Sequence, residues 1–393
     1  MLCACGSRAP IGDDSGPPLG DAAAACAGNT PPRCIKRRGC SAPELVAPQC
    51  DAASGQFSCP AGAQVYQRAQ SSGSCRPFYG APGVSTFGAG VTVEAADGRC
   101  LWLFGGSDGS GPHHPVAAVA GDYAPGSCPT GPLVTRPDGT ALDSVDLTNA
   151  GSDKLVSLLH SVRVGQRTYV YYRLYVWDAN AVFGVRGLGV GVAPFDETTL
   201  RIPISSQLLW PNAQDFGDAV VRDASDQRVY LTGCGRSKGL TGDCHLARID
   251  GAANLADTGA YQYWVGGDQW TRDTSSARVA LFDSGPERSV VQRHGGGYVH
   301  IFIAGFGSTI EVRTAPAIEG PWTKARNLVR CDLPEDDPDA YCAEPMLHPE
   351  LSDPTRPDEL VITHNVRSLA KDQDVRRRQR PADYTLRLVR GQL

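Results

Sequence analysis

From about residue 80 onward, short runs rich in β-branched and aromatic residues alternate with clusters of turn-forming residues. The clearest stretch is 285–322, in which SVVQR and YVHIFIA are joined at Gly295–Gly297 and STIEVRTA follows with alternating faces. Glycine adopts the positive φ angles that tight hairpin turns require. The pattern predicts a hairpin, a third strand beside it and a closing turn that ends at Trp322.

Hairpins of this kind recur five times along the chain, and the later copies add an outer strand before the long loop. A unit of about 40 to 50 or more residues, repeated about four to eight times, is typical of a β-propeller. We therefore predict an all-β fold, with a five-bladed β-propeller over residues 79–393. A β-sandwich would also contain many strands, but it lacks this repeated order. The predicted hairpins are GVTVEA with CLWLFGG, LLHSVRV with TYVYYRLYVW, FGDAVVRD with VYLTGC, SVVQR with YVHIFIA, and CAEPMLHPEL with LVITHNV. The predicted outer strands are GLGVGVAPFD, CHLARID, TIEVRTAP and TLRLVRG.

Composition supports many short strands and turns, because the 393 residues include 45 glycines and 29 prolines but only 20% charged residues. The net charge is −5, and no basic stripe is interleaved with aromatic residues, so we predict no nucleic-acid partner. The run Arg376–Arg380 is strongly basic. We expect it to be a solvated loop before the last strand, with an anionic ligand or a membrane headgroup as the alternative.

The chain contains 14 cysteines, but no CxxC pair and no zinc-type spacing of cysteine and histidine. This usage predicts disulfides and an oxidising, exported location. The segment LCACGS at positions 2–7 resembles the end of a bacterial lipoprotein signal, with Cys5 as the lipid acceptor, against the alternative of a chance match. We expect the coding sequence to begin upstream, and residues 1–33 to be a flexible tether at the cell envelope or outer surface. No run of 18 apolar residues exists, so we expect contact with the membrane only through the lipid anchor.

Residues 34–78 form a short cysteine-rich segment, for which we predict a small module that depends on disulfides. Cysteines that flank short segments predict local bonds, and we expect three such pairs: Cys234–Cys244, Cys331–Cys342 and Cys100–Cys128. The remaining cysteines of the N-terminal region would then bond among themselves, in a connectivity that the sequence does not fix. They are Cys26, Cys34, Cys40, Cys50, Cys59 and Cys75.

Several segments resemble the sequences of a bacterial family of five-bladed propellers, a family described as a domain of unknown function. GPERSVVQRHGGGYVHIFIAGF and IEVRTAPAIEGPW resemble the fourth blade of that family, YCAEPMLHPELSDPTRPDELVITHNV the last blade, and DGRCLWLFGG the first hairpin. The resemblance covers residues 80–393. Some members are endo-acting glycosidases on arabinan polymers, including endo-D-arabinanases, and the architecture is shared with arabinanase- and invertase-like enzymes. The resemblance therefore implies a sugar-facing central pocket and a polysaccharide or glycan partner, although a fold does not by itself imply activity.

The first strand of each propeller blade lines the central channel, so carboxylates on these strands are the candidate site residues. Glycoside hydrolysis requires two carboxylates on opposite sides of the glycosidic bond. The candidates are Asp215 and Asp218 in the third blade, Glu287 in the fourth, and Glu344 and Glu350 in the fifth. The alternative for Glu287 is a structural hydrogen bond or salt bridge, and aspartates that flank turns usually bind backbone amides.

Two further residues are candidate ligand contacts. The resemblance places His348 at the channel floor, as a ligand of a sugar hydroxyl or of a metal ion, whereas the alternative is a buried structural histidine. Trp270 could stack on a sugar ring at the channel mouth. We expect no cofactor, with a divalent cation such as calcium in the channel as the alternative.

The first blade departs from the family pattern. Family members carry an aspartate in a Gly-Thr-Asp context and another in Phe-Gly-Asp, whereas this chain has Phe87-Gly88-Ala89-Gly90 and Phe104-Gly105-Gly106. Asp108 is the nearest substitute. Loss of general acid–base help costs about two to four orders of magnitude in rate. We therefore predict a carbohydrate-binding surface protein on a glycosidase-like scaffold. The alternatives are an active glycoside hydrolase, using Glu287 with Asp108 or Asp218, and a propeller that binds other proteins.

Overall fold

The structure, a computed structural model, describes residues 26, 28–37, 39–51, 53–67, 75–77, 86–107, 116–119, 128–129, 131, 133–139, 142–181, 184–211, 216–223, 225–234, 242–274, 278–284 and 289–393. The chain divides into two compact units, one within 1–37 and 43–67 and the other within 38–42 and 68–393. No helix in the described ranges is long and apolar enough to cross a membrane.

The described part of the first unit contains five short strands. They are β1 (Cys34–Lys36), β2 (Glu44–Val46), β3 (Gln49–Asp51), β4 (Gln56–Ser58) and β5 (Ala63–Val65). An antiparallel sheet has the order β2-β1-β5, and β3 pairs with β4. Two disulfides, Cys26–Cys50 and Cys34–Cys59, join these strands. Cys26, Cys34 and Ile35 are buried, so disulfides supply much of what holds so small a unit together.

The second unit is almost entirely β-structure. Its strands are β6 (Thr86–Glu94), β7 (Cys100–Ser107), β8 (Val116–Val119), β9 (Val145–Asn149), β10 (Lys154–Val164), β11 (Arg167–Trp177), β12 (Val185–Pro194), β13 (Ile202–Ser205), β14 (Trp210–Pro211), β15 (Ala219–Arg222), β16 (Arg228–Cys234), β17 (Gly242–Asp250), β18 (Gln262–Gly266), β19 (Gln269–Thr271), β20 (Phe282–Ser284), β21 (Val290–His294), β22 (Gly297–Ile303), β23 (Thr309–Ala315), β24 (Arg326–Arg330), β25 (Ala340–Leu347), β26 (Glu359–Ser368) and β27 (Arg387–Gln392). The helices are α1 (Gln373–Gln379) and the 3₁₀ turns Thr258–Ala260 and Pro349–Leu351.

These strands form successive antiparallel sheets, which we number in chain order. The first sheet is β6-β7-β8 and the second β10-β11-β12-β14. The third is β15-β16-β17-β18-β19, with β20 on β17, the fourth is β21-β22-β23-β24, and the fifth is β25-β26-β27. The strands β9 and β13 form a separate parallel pair. The predicted hairpins are confirmed, as are the third strands β12, β17, β23 and β27. The fourth strand β24, which follows Trp322, was not predicted.

The first strands of the sheets contact one another in sequence. β6 packs against β10, β10 against β15, β15 against β21, β21 against β25, and β25 against β6. Apolar clusters fill the space between neighbouring sheets in the same order. For example, Trp102 of β7 packs in one cluster with Leu386 and with Leu388 of β27. Each sheet therefore buries both of its faces against neighbours.

The cysteine pairing differs from the prediction at four positions. The structure joins Cys234 to Cys244 and Cys331 to Cys342, the two local pairs expected from their spacing. Cys100 does not bond to Cys128; instead the bonds are Cys40–Cys100 and Cys75–Cys128. Cys75 is placed by backbone hydrogen bonds to Leu388 in β27, so its partner depends on the packing of distant segments rather than on spacing.

The basic run was expected to be a loop, and this expectation was wrong, because it forms helix α1. Asp372 lies one turn before Arg376, and the two side chains form an ion pair of 2.9 Å. Arg376 also pairs with the buried Asp337 at 3.1 Å, and Arg380 pairs with Asp336. Carboxylates within reach offset the mutual repulsion of the arginines and anchor the helix.

Candidate functional site

Four predicted site residues lie outside the described residues. They are Cys5, Asp108, Asp215 and Glu287. The other candidates are Asp218, Glu344, His348, Glu350 and Trp270, and the structure distributes them over four places.

Asp218 lies directly before β15, in a buried ion pair with Arg173 of β11. Its Oδ1 accepts from the Arg173 guanidinium at 3.3 Å, and each side chain is 7% exposed. Gly217 leads into this position with φ of 99°, and a Cβ there would touch the Tyr171 ring at 3.3 Å. Glycine therefore lets the chain turn closely over the second sheet. The pair links the second sheet to the third, and its carboxylate is already engaged by a cation.

Glu344 occupies a bulge in β25. Ala343 pairs with Asn365 and Met346 pairs with Thr363, so two residues of β25 face one residue of β26. Pro345 has no N–H to donate to the ladder, and proline within sheets is confined to edges and bulges. The φ angle of Glu344 is 51°, in the left-handed region that costs a residue with a Cβ about 1–2 kcal/mol.

The bulge turns the Glu344 carboxylate toward two partners on β26. Oε2 accepts from the Asn365 amide at 2.7 Å, and Oε1 lies 2.9 Å from the Arg367 guanidinium. The side chain of Glu344 is 16% exposed and that of Arg367 is 43% exposed. Glu344 is therefore a held carboxylate that solvent still reaches. Bulges often re-aim a side chain next to a functional site.

His348 and Glu350 form a closed cluster just after the C-terminal end of β25. The His348 ring bonds to Glu350 through Nδ1 at 2.8 Å and to Thr363 through Nε2 at 2.7 Å. The ring also stacks on Trp102 of β7, with centroids 4.1 Å apart. Both His348 and Glu350 are 1% exposed. Neither imidazole nitrogen is left for a sugar or a metal ion, so the geometry favours the alternative of a buried structural histidine for His348.

Trp270 lies away from the other candidates. It is on β19, the strand of the third sheet that is furthest from β15. The Arg248 guanidinium lies 3.8 Å from the centre of its ring, and Tyr230 packs edge-on against it. This cation–π contact and the edge packing account for a half-buried tryptophan. This position is at the far edge of the third sheet from its first strand, and stacking on a sugar ring stays a prediction for Trp270.

A cavity of about 250 Å³ is bordered by the first strands of all five sheets. The residues that reach it come from the C-terminal halves of these strands. They include Glu94, Arg163, Arg222, Gln292 and Leu347. Asp218 and Glu344 precede the cavity-lining residues of their strands, whereas His348 and Glu350 follow them. The carboxylates predicted for one site are thus divided between the two ends of the first strands.

Sequence reasoning missed the polar residues of this cavity. Arg163 lies 3.9 Å from Glu94 and 3.5 Å from Glu197, and Arg222 donates to the Arg163 carbonyl at 3.3 Å. Glu94, Arg163 and Arg222 stand at the ends of first strands, just before the hairpin turns. That position in the sequence was the signal by which they could have been predicted as cavity residues. Alternating cations and anions leave this end of the cavity close to neutral.

Residues 39–42, which we call the strap, lie against the same cavity. Cys40 and Ser41 border it, and the disulfide to Cys100 ties the strap to the start of β7. Gly39 has φ of 54°, and a Cβ there would come within 2.3 Å of the Glu94 side chain. The strap therefore packs tightly over one end of the first strands and is held there covalently.

Calcium prefers oxygen ligands such as carboxylates. Within the described ranges, the one group of three or more potential ligands within reach of a single ion is Cys331, Cys342 and His364. It contains no carboxylate.

Comparison with known proteins adds a fold and a family match. A "putative hydrolase" of Bacteroides ovatus ATCC 8483 is similar with a TM-score of 0.57 and 16% identity, over 80% of this chain and 87% of that one. The exo-β-1,3-galactanase of Phanerochaete chrysosporium, with β-1,3-galactotriose, has a TM-score of 0.44 and 11% identity over 81% and 64% of the two chains. The GH43_1 enzyme of Xanthomonas citri, with xylose, has a TM-score of 0.44 and 13% identity over 81% and 89%. No curated protein matches the sequence. Residues 195–365 match the family described as Domain of unknown function (DUF4185).

Proposed function

We propose that the protein binds carbohydrate, on a glycosidase-like, five-bladed β-propeller that is exported and anchored by lipid at the bacterial cell envelope. The observation that carries the binding site is Glu344, a partly exposed carboxylate held in left-handed backbone conformation in a first-strand bulge. The ligand in this proposal is a polysaccharide or glycan.

The contacts between first strands support the propeller. Each first strand packs against the next, and the last of them, β25, packs against β6. One cavity touches all five. In a propeller the first strands surround a central channel, and each sheet keeps only short, protected edges although the sheets do not close into a barrel. The fold shared with the Bacteroides ovatus protein is compatible with this arrangement.

The conformation of Glu344 supports a ligand-contacting role. Non-glycine residues persist in strained conformations where the surrounding structure forces them, and such residues cluster at binding and catalytic sites. Pro345 also disfavours helical-type conformations of the residue before it. Asn365 and Arg367 hold the carboxylate in place, which leaves it pre-oriented to accept hydrogen bonds from sugar hydroxyls.

The same contacts favour binding over hydrolysis. A glycosidase needs one carboxylic acid that donates a proton and a second carboxylate about 5 to 10 Å away. Asp218 and Glu344 both accept hydrogen bonds or ion pairs from basic side chains. The first sheet has alanine and glycines at 88–90, where the family resemblance places an aspartate.

The glycan affinity of the Glu344→Gln variant, compared with that of the wild type, tests the proposal. The protein and its variants are titrated with arabinan, xylan and galactan fragments by calorimetry, and the same samples are assayed for release of reducing sugar. A hydrogen bond to a charged group contributes about 1.5–3 kcal/mol, so we expect affinity to fall at least about tenfold. The matched control is Glu335→Gln, an exposed glutamate that should bind like the wild type.

Two outcomes would contradict the proposal. Release of reducing sugar by the wild type, abolished in Glu287→Gln, would make the protein a hydrolase. Equal affinity of Glu344→Gln and Glu335→Gln would place the glycan elsewhere.

The proposed anchor is tested separately. Mass spectrometry of the protein from membranes of its native cells should find a diacylglyceryl group on Cys5, and Cys5→Ala should release the protein from the membrane fraction. An unlipidated wild-type protein in the soluble fraction would refute the anchor without affecting the glycan-binding proposal.

A further inference from the structure

Three potential metal ligands meet between β24, β25 and β26. Cys331 follows β24, Cys342 lies in β25 and His364 in β26. The two sulfur atoms and a ring nitrogen of His364 all lie within 4.8 Å of one another. The three residues are 6%, 0% and 0% exposed. None of the three residues lines the cavity of the first strands.

One ring nitrogen of His364 has no hydrogen-bond partner among the residues that the structure describes. Nδ1 lies 3.2 Å from the Asn365 carbonyl, and because a carbonyl only accepts, Nδ1 carries the proton. The neutral ring then has a lone pair on Nε2, which finds no hydrogen-bond donor among the described residues. An unsatisfied buried acceptor costs about 1–3 kcal/mol. Disulfide sulfur has no proton to donate, whereas a thiol or a metal ion would satisfy the nitrogen.

We propose that Cys331, Cys342 and His364 form a metal site that is closed by the disulfide and becomes available when the disulfide is reduced. Two thiols of a small reductant supply the two electrons, giving a new disulfide on the reductant and free thiols at Cys331 and Cys342. A Zn²⁺ ion then displaces one proton from each thiol and binds two thiolates and the imidazole. The disulfide and the ion exclude each other.

The coordination chemistry fits Zn²⁺. Structural zinc takes cysteine and histidine ligands in tetrahedral geometry, and a Zn–S distance of about 2.3 Å places the two sulfurs about 3.8 Å apart. With Cα atoms 6.3 Å apart, rotation of the two side chains is sufficient to reach that separation. Ligating histidines usually donate their other N–H to a carbonyl or carboxylate, as Nδ1 of His364 does here. A water molecule would fill the fourth position.

A second disulfide provides an internal control. Cys234–Cys244 spans 10 residues, compared with 11 for Cys331–Cys342. No third ligand accompanies it among the residues that the structure describes. Reduction of both disulfides should therefore create one metal site and not two.

Cobalt titration of the full chain tests the site. The protein is reduced anaerobically with a phosphine, which donates the same two electrons, and titrated with Co²⁺. We expect one equivalent to give sulfur-to-cobalt charge-transfer absorption, which Zn²⁺ abolishes. Cys234→Ser/Cys244→Ser should keep this absorption, Cys331→Ser/Cys342→Ser should lose it, and His364→Gln should weaken Co²⁺ binding at least about tenfold.

The proposal is overturned if the reduced chain gives no such absorption, or gives it equally in Cys331→Ser/Cys342→Ser. If reduction unfolds the chain, the protein is instead folded in reducing buffer with Zn²⁺. The folded product should then contain one zinc and free thiols at both positions, and a product that holds zinc with the Cys331–Cys342 bond intact would equally refute the site.

Discussion

At the scale of single residues, buried charges are balanced by specific partners. Asp218 and Arg173 are both nearly inaccessible to solvent, and Arg313 pairs with Asp283 across neighbouring sheets at 2.8 Å. Taking a charge out of water costs several kcal/mol unless a partner compensates it. The effect of a substitution at such a site is therefore dominated by the charge that is left behind.

Replacing Asp218 by asparagine should strongly destabilise the fold. The buried Arg173 loses its counter-charge, and breaking a buried pair typically costs about 3–5 kcal/mol. Urea unfolding measures the change. The double variant Asp218→Leu/Arg173→Met should recover most of the loss, because no unpaired charge remains. A single variant as stable as the wild type would show that Asp218 does not compensate Arg173.

His300 should make the fold sensitive to mild acid. Burial lowers the pKa of His300 well below its usual value, and the nearby Arg313 lowers it further. The ring stacks between Phe282 and Phe302, with Asp283 held on Arg313 nearby. The unfolded chain binds a proton that the folded chain excludes, so stability is full above about pH 6.5 and is lost as pH falls below that value.

The measurement is the free energy of unfolding between pH 7 and pH 5. His300→Phe should flatten this dependence, since no imidazole remains to be protonated. His294→Gln, on the neighbouring hairpin turn, is the matched control and should keep the wild-type slope. An unchanged slope in His300→Phe would assign the pH dependence to other groups.

At the scale of elements, local sequence signals explain most of the strands and one irregularity. Gly295 and Gly296 take φ of 56° and 85° in the turn between β21 and β22, as the glycine cluster predicted. The Glu344-Pro345 pair interrupts the β25 ladder and creates the bulge. The sequence contained that signal, because proline within a strand indicates an edge or a bulge.

Strain at the bulge predicts an inverted order of stability for two substitutions. Glu344→Gly and Glu344→Ala both remove the carboxylate, but only glycine adopts φ near 51° without penalty. Glu344→Gly should therefore be more stable than Glu344→Ala by about 1 kcal/mol. At Glu311 of β23, which has no positive φ and pairs in regular register with β22, the order should reverse by about 0.5–1 kcal/mol. Thermal unfolding of the four variants provides the comparison, and the same order at both sites would argue against strain at Glu344.

At the scale of the whole second unit, distant segments are fixed to one another by disulfides and shared cores. The strap is the clearest case, because Cys40 and Cys100 are 60 residues apart and join a short loop to the start of β7. A disulfide stabilises a fold most when it closes a long loop in the unfolded chain.

Removing the Cys40–Cys100 bond should free the strap. The Cys40→Ala/Cys100→Ala variant should be less stable by about 2–4 kcal/mol, and amide hydrogens of residues 39–42 should exchange faster with deuterium. Cys234→Ala/Cys244→Ala is the control, in which the strap should stay protected. A strap that remains protected without its disulfide would show that packing against Glu94 alone holds it.

The sequence by itself determined the all-β fold, the hairpins and third strands, and the two short-range disulfides. Each of these depends on residues that are near one another in the chain, such as Gly165 between β10 and β11 or Cys234 and Cys244, which are 10 residues apart. Tertiary structure alone decided which partners distant residues find. It paired Cys40 with Cys100, set Asp218 on Arg173, enclosed His348 between Glu350 and Trp102, and supplied acids that turned the basic run into helix α1. The spacing of two residues in the sequence constrains a contact that closes a short loop. A contact between two sheets depends instead on how the whole sheets pack, and no local sequence pattern encodes that packing.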